Sequence, residues 1–432
     1  MMLSTKKRVC VLGAGPAGMG CLRYLIENPE TFEVIAYEQA SCIGGTWVYT
    51  DETGTDKWGK PIHSSLYKSL KVNIPKEIMS YPDFMFDSNL PSYLGHEEVL
   101  KYLNNYTEHF NLKPFIQFNT KVVMVKPKHI GQGLWGTKWN VEVQQLNEPA
   151  TTATTKEFDA VIVCNGQYSV PNVPEYPGLD QFQGTTMHGH SYREPSFFKD
   201  KRVLTVGSSF SGWDITIETA STAKQVYISH RGEQKMKAFP TNVTMVTGIR
   251  SFTKNSVILN DDEELTIDAV IFNTGYKHSF PFLSPECGIK VTKDNTVMPL
   301  YRHTLCITNP TLSFNSVTDW MAPFICISVQ ARFIKDVLEE KVKLPSVQEM
   351  RTSEQEEMEK REERNWPPRY RHRMEDLMFE FCDTLAGDMG VPPLPGFVRK
   401  LFDVHCAKLV SDITECRKDN YKITDSGQVE VL

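Results

Sequence analysis

The sequence has no cysteine pair at C-x-x-C spacing, no uncharged apolar run of 18 residues and no excess of basic charge. Each absence excludes a class of protein. Ten cysteines scattered from Cys10 to Cys416 fit reduced thiols in a cytosolic chain and offer no metal-knuckle spacing, so no metal is expected. Without an apolar run long enough to cross a bilayer, no membrane helix is expected, and the end YKITDSGQVEVL is polar. Lys6, Lys7 and Arg8 ahead of VCVLGAGPAG give the outline of a signal peptide, but the same run is needed as a nucleotide loop. A net charge of -6 and a pI near 6.0 argue against a nucleic-acid binder, because neutralising phosphates normally requires a basic surface. The expectation is a cytoplasmic protein acting on a small molecule; its oligomeric state is unreadable, a homo-oligomer included.

What is present is enough for a sizeable core: 432 residues, 40% of them hydrophobic. RVCVL (8–12) reads as a buried strand, GAGPAG (13–18) as a turn, MGCLRYLIE as the start of an amphipathic helix and FEVIAYE (32–38) as a second strand. RVLTVGSSFSGWDITIETA (202–220) followed by KQVYISHR repeats this β-α-β plan. Each unit closes on an apolar strand with Asn and Gly, AVIVCNG (160–166) and AVIFNTG (269–275), after a β-rich segment, 138–146 or 255–267. The fold class is therefore α/β, with two dinucleotide-binding Rossmann-like domains, the second inserted into the first. The expected boundaries are 1–168 for the first part of one domain, 169–284 for the inserted one, and 285–432 for the return with C-terminal helices. Residues 349–381, rich in Glu, Arg and Lys and broken by Pro367 and Pro368, read as helix, turn and helix with a solvated face.

Gly13, Gly15 and Gly18 stand between strand and helix, where backbone can approach a pyrophosphate at the helix N-terminus. Glu38 follows Gly18 by 20 residues, the place from which a carboxylate takes a ribose 2'-hydroxyl. In the second loop the pattern is Gly207, Ser209, Gly212, with serine for the middle glycine. Its second strand ends in Ser229, His230 and Arg231, and a cation there suits a 2'-phosphate. One acid-tipped and one base-tipped site point to FAD receiving hydride from NADPH. Disulfide reduction is not expected, because Trp47 follows Gly44-Gly45-Thr46 where such an enzyme would place cysteine.

Between the two units lies FQGTTMHGHSYR (182–193). His188 and His190 alone make no metal site, since no further ligand is placed with them. Phe182, Gly184, His188 and Tyr192 form F-x-G-x-x-x-H-x-x-x-Y, which resembles the fingerprint of flavin-containing monooxygenases. The resemblance takes in GAGPAG, Glu38, GGTW, SLKVNIPKEIMSYPDF (69–84), FNTGY (272–276) and Gln330-Ala331-Arg332. Departures are Val72 before Asn73, Asn273 in place of alanine, and Phe333 in place of tryptophan. The hydrophobic C-terminal anchor of vertebrate members is missing, so the chain is similar to soluble insect-type members.

The resemblance implies an NADPH- and O2-dependent enzyme that forms a C4a-hydroperoxyflavin and oxygenates soft nucleophiles. Tertiary amines such as pyrrolizidine alkaloids lead, as in detoxification, with sulfides second. It implies Asn73 as the catalytic residue. Cofactor-binding roles fall on Gly13, Gly15, Pro16, Ala17, Gly18, Glu38, Gly45, Thr46 and Trp47 for one nucleotide, and on Gly207, Ser208, Ser209, Ser211, Gly212, Ser229 and Arg231 for the other, with Thr274, Gly275 and Gln330. The fingerprint is expected to be a connection between domains, with His190 incidental to it. Other readings left open are an NADPH oxidase, a primary-amine N-hydroxylase and a flavoprotein scaffold without turnover.

Overall fold

The structure, a computed structural model, describes residues 6–56, 59–146, 152–231, 238–315, 317–319, 321–424 and 426–432. Strand Lys7–Leu12 lies at the centre of a seven-stranded sheet, paired in parallel with Phe32–Tyr37 on one side and Ala160–Val163 on the other. Its alternation explains why RVCVL is apolar throughout: Val9 and Val11 face one core, Cys10 and Leu12 the opposite one. Helix Pro16–Leu25 covers the first face together with Pro323–Leu338. An added Cβ on Gly20 would stand 2.9 Å from Ile327 Cγ2, so glycine sets the closeness of that crossing. The other face is closed by an antiparallel sheet of Thr120–His129, Lys138–Gln145 and Thr154–Phe158.

The chain leaves the first sheet at Val163 and rejoins it with Leu300–Tyr301, Leu305–Cys306 and Leu312–Phe314. A second, five-stranded sheet is built wholly from the interval, in the order Val243–Val246, Gln225–Ser229, Arg202–Val206, Ala269–Phe272, Thr185–His188. All its pairings are parallel. It repeats the first plan, with helix Phe210–Ala220 after its central strand and an antiparallel trio, Ile249–Phe252, Ser256–Leu259 and Glu264–Thr266, before its last strand. The fingerprint segment is more than a connection: Thr185–His188 is the edge strand of this sheet, with His188 opposite Phe272.

Helices Val347–Glu363, Leu377–Met389 and Gly396–Ser411, the short Ile413–Cys416 and a hairpin of Tyr421–Ile423 with Val429–Val431 complete the chain. The charged segment is helical as expected and begins at a capping box of Ser346 with Glu349. The expectation of a purely solvated face fails there. Glu354, Arg361 and Arg371 are buried; Glu354 pairs with Arg371 at 3.3 Å and accepts the Leu300 N–H at 2.9 Å. Inward-facing charge survives because each group finds a partner, which composition does not record.

Candidate cofactor and active site

The two glycine loops share one construction. Gly13 has φ +106° and a Cβ there would lie 2.6 Å from the Cys164 carbonyl oxygen; Gly207 has φ +107° and would meet the Asn273 carbonyl at 2.4 Å. A Cβ on Gly18 would reach 1.9 Å from Gly13 O, and on Gly212 2.0 Å from Gly207 O. These four glycines are demanded by the protein's own backbone. Gly15 is different: its φ is -74°, and an added Cβ would make only ordinary contact, 3.5 Å from Gly45 Cα. Nothing internal requires glycine at 15, and the missing side chain would let a pyrophosphate approach the loop. Pro16 opens the helix at its first position, Ala17 and Gly18 are buried behind it, and no side chain caps its free N–H groups.

Gly44–Trp47 lies against the same loop, with the Gly44 N–H donating to Ala14 O at 3.1 Å. The Thr46 carbonyl accepts the Ser64 hydroxyl, and Trp47 meets Phe324 edge to face. Glu38 is buried; Oε2 accepts the Ala14 N–H at 2.7 Å and Oε1 the Ala40 N–H at 2.8 Å. Burial pushes its carboxyl up, while the N–H groups of Ala40, Ala14 and Gln39 hold it down. Two oxygens with about four lone-pair sites retain capacity for ribose hydroxyls. The residues present thus fit FAD.

In the second loop Ser209 takes the place of Gly15 with φ -112° and ψ -176°, an extended conformation open to any side chain. The serine is accommodated without strain, and its hydroxyl does not cap the helix. Ser208 is half-buried and Ser211 exposed on the first turn. Arg231 is exposed just beyond Gln225–Ser229, near enough to Tyr176 to act on its phenol. Ser229 is buried and its hydroxyl donates to Thr247 O at 2.8 Å, so its proton is committed within the protein. The Thr274 hydroxyl likewise donates to Asn172 O. Asn273 is buried beneath the loop with neither end of its amide hydrogen-bonded. A loop with uncapped helix N–H groups, a nearby cation and an orphaned amide suits a phosphorylated dinucleotide.

Gly275, at φ +79°, has open space where a Cβ would stand. Its carbonyl accepts from the Asn172 N–H at 2.9 Å and from His188 Nε2 at 3.0 Å. His188 Nδ1 accepts the His190 N–H at 3.0 Å, so the ring is a neutral staple, and burial lowers its pKa to about 4. His190 is not incidental: its Nε2 lies 3.0 Å from Ile62 O and its ring against Tyr276. Gly184 is required because a Cβ would stand 2.6 Å from Asp268 O and 2.3 Å from the Phe182 ring. Tyr192 is buried against Tyr67 and Phe198. Among the described residues no cluster of His, Cys, Asp and Glu could hold a metal ion. Gln330 is wholly buried, and its amide donates to Thr304 at 3.0 Å.

Asn73 is half-buried in the loop before Lys76–Met79. Its Oδ1 accepts from Arg417 Nη2 at 2.6 Å, and among the described residues its Nδ2 has no partner. The amide therefore keeps its two N–H groups as available donors. Arg417 was invisible to sequence reasoning, 344 residues away and in no motif.

The chain is similar to known proteins over nearly its whole length. The flavin-binding monooxygenase-like family matches residues 6–238 and 233–430. The chain is 34% identical to flavin-containing monooxygenase FMO GS-OX4 of Arabidopsis thaliana, over 89% of this chain and 85% of that one. It is 30% identical to senecionine N-oxygenase of Tyria jacobaeae, over 98% and 92%. Among solved structures, S-allyl-L-cysteine S-oxygenase from Allium sativum superposes with a TM-score of 0.87 at 31% identity, covering 97% of this chain and 96% of that one.

Proposed function

This chain belongs to the flavin-binding monooxygenase-like family, is a flavin-containing monooxygenase that takes FAD and NADPH, and we propose that its substrates are tertiary amines of the pyrrolizidine alkaloid kind. When bound, the reduced flavin supplies the two electrons that let one atom of O2 enter the substrate while the other leaves as water, with NADPH oxidised to NADP+. The protein's share is binding, orientation and exclusion of water. Gly13–Gly18, Gly44–Trp47 and Glu38 hold FAD. Gly207–Gly212 and Arg231 hold NADPH, Arg231 at the 2'-phosphate. We assign residues 169–284 to the NADPH unit and the remainder to the FAD unit.

The observation that supports the reading is the Asn73 amide, in the segment of the family motif, held at its oxygen by Arg417 with its N–H groups left as donors. An amide donor stabilises an oxygen that accumulates negative charge without being able to protonate it fully, which suits a site that must deliver oxygen to a nucleophile rather than release peroxide. Full-length similarity to an N-oxygenase supports amines; similarity to an S-oxygenase supports sulfides as the second class. Among the described residues no helix is long and apolar enough to cross a membrane, and we propose a cytoplasmic location.

The test is NADPH oxidation by purified protein over a panel of tertiary amine alkaloids, primary amines and sulfides, with oxygenated product and peroxide measured together. Product near one per NADPH with a tertiary alkaloid is expected. Peroxide alone across the panel points to an oxidase, and hydroxylamine from primary amines to an N-hydroxylase. Colourless protein that does not bleach with NADPH under nitrogen overturns catalysis altogether.

A further inference from the structure

The C-terminal segment reaches back across the molecule to hold Asn73. Arg417 follows the short helix Ile413–Cys416 and has a largely buried side chain, 11% exposed. Nη1 donates to Asp214 Oδ1 at 2.7 Å and Nη2 to Asp214 Oδ2 at 3.0 Å, the paired geometry of guanidinium on carboxylate. The same Nη2 donates to Asn73 Oδ1 at 2.6 Å and lies 3.1 Å from Lys71 O. Asp214 stands two residues beyond Gly212 on the helix that opens at the second nucleotide loop, and accepts the Tyr67 hydroxyl as well. His405, on helix Gly396–Ser411, hydrogen-bonds the Asn73 backbone and takes the Tyr93 hydroxyl at its Nδ1, 2.8 Å away. Asn73 is thus gripped at its amide oxygen and its backbone by groups from beyond residue 400.

An amide can be turned over, and only its hydrogen-bond partners decide which end points where. Turning Asn73 would set its NH2 against the guanidinium, donor against donor. Arg417 therefore determines that NH2 faces away from the guanidinium, and a cation on Oδ1 draws charge from the amide and makes its N–H a stronger donor. Arg417 is itself held in register by Asp214.

We propose that Arg417 is a positioning residue for the oxygenation: anchored by Asp214 of the nucleotide-loop helix, it fixes the direction and strengthens the donor of the Asn73 amide, tying the C-terminal segment and both nucleotide units to one side chain. The inference rests on the assignment of Asn73 as the catalytic donor.

The test is a double-mutant cycle read as product formed per NADPH consumed by the FAD-loaded enzyme. Arg417→Gln should lower that ratio about as far as Asn73→Ala, roughly tenfold or more, the scale of one lost charged hydrogen bond. The double variant should be no worse than Asn73→Ala alone. Arg417→Lys, which keeps the charge without the paired fork, and Asp214→Asn should fall between. A readout free of flavin accompanies it: in apoprotein labelled with 15N-asparagine, the side-chain amide signal that disappears in Asn73→Ala should move in Arg417→Gln. Additive losses, or an unmoved signal, overturn the inference. An unchanged ratio in Asn73→Ala would sink the catalytic assignment itself. Loss in Asn73→Ala with none in Arg417→Gln would sink only the present inference. Failure of all three single variants at Arg417 and Asp214 to fold makes Arg417 a structural residue and also overturns it.

Discussion

Asn73 and Arg231 carry opposite demands, one a donor held rigidly and the other a cation on an exposed strand end. Asn73→Ala leaves the glycine loops and Glu38 untouched, so FAD should remain bound while oxygenation falls far more than NADPH consumption; a wild-type product yield per NADPH would contradict this. Arg231→Gln should raise the NADPH KM by the equivalent of roughly 1–3 kcal/mol, the cost of losing a charged hydrogen bond, and leave NADH use nearly unchanged. Steady-state kinetics with both cofactors decides, and equal effects on the two count against a phosphate contact. Individual residues were only partly legible in the sequence. Glu38 follows from its place after a strand, because a β-α-β unit fixes that position within a few residues. The engagements of Ser229 with Thr247, Thr274 with Asn172 and Gln330 with Thr304 do not follow, because each partner arrives from another turn of the chain.

At the scale of the element, the strand–turn–helix units separate glycines required by backbone from positions open to change. Gly207→Ala places a methyl 2.4 Å from a carbonyl at a positive φ, so it should destabilise the protein by several kcal/mol and weaken NADPH binding. Ser209→Ala removes a hydroxyl that caps nothing, so it should change the melting temperature little, without the ~1 kcal/mol of a lost N-cap. Thermal melts of the two variants side by side test the distinction; equal destabilisation would contradict it. Both units were legible in advance, since short apolar strands, glycine spacing and a following helix are local signals. The role of Thr185–His188 as an edge strand was not: TTMH lacks the apolar run of an interior strand, and only its pairing with Ala269–Phe272 makes it one. The inward charges of Glu354, Arg361 and Arg371 were hidden likewise, since a count of charges does not say which way they face.

Across the whole molecule, desolvated histidines favour the fold at neutral pH and lose that contribution in acid, opposed in the same range by the buried carboxyl of Asp319, which burial raises to about 6. Burial is the largest cause holding His188, His278, His303 and His405 at about 4, and it lowers His63, His190 and His372 too. A folded pKa below the ordinary 6.5 means that the unfolded chain takes up protons first. The stability these rings contribute is therefore fully present above about 6.5 and is lost as pH falls toward 4, by about 1.4 kcal/mol per pH unit for each group that must stay neutral. The melting temperature of the apoprotein should hold near pH 7 and drop steeply between 6.5 and 4; a rise on acidification would contradict it. The crossing into and out of the second unit matters at this scale too. Residues 170–172, where the chain enters that unit, run antiparallel to residues 275–277, where it leaves, joined by the Asn172 N–H to Gly275 O at 2.9 Å and the Lys277 N–H to Val170 O at 2.8 Å, so arrival and departure lie about 4.8 Å apart, one strand spacing. For the first unit, the whole second unit is then closed off like a short loop whose ends already meet. Its entropic burden on the host scales with that narrow gap and only logarithmically with the chain inside it, which is how a second nucleotide fold can be carried within the first without loosening it.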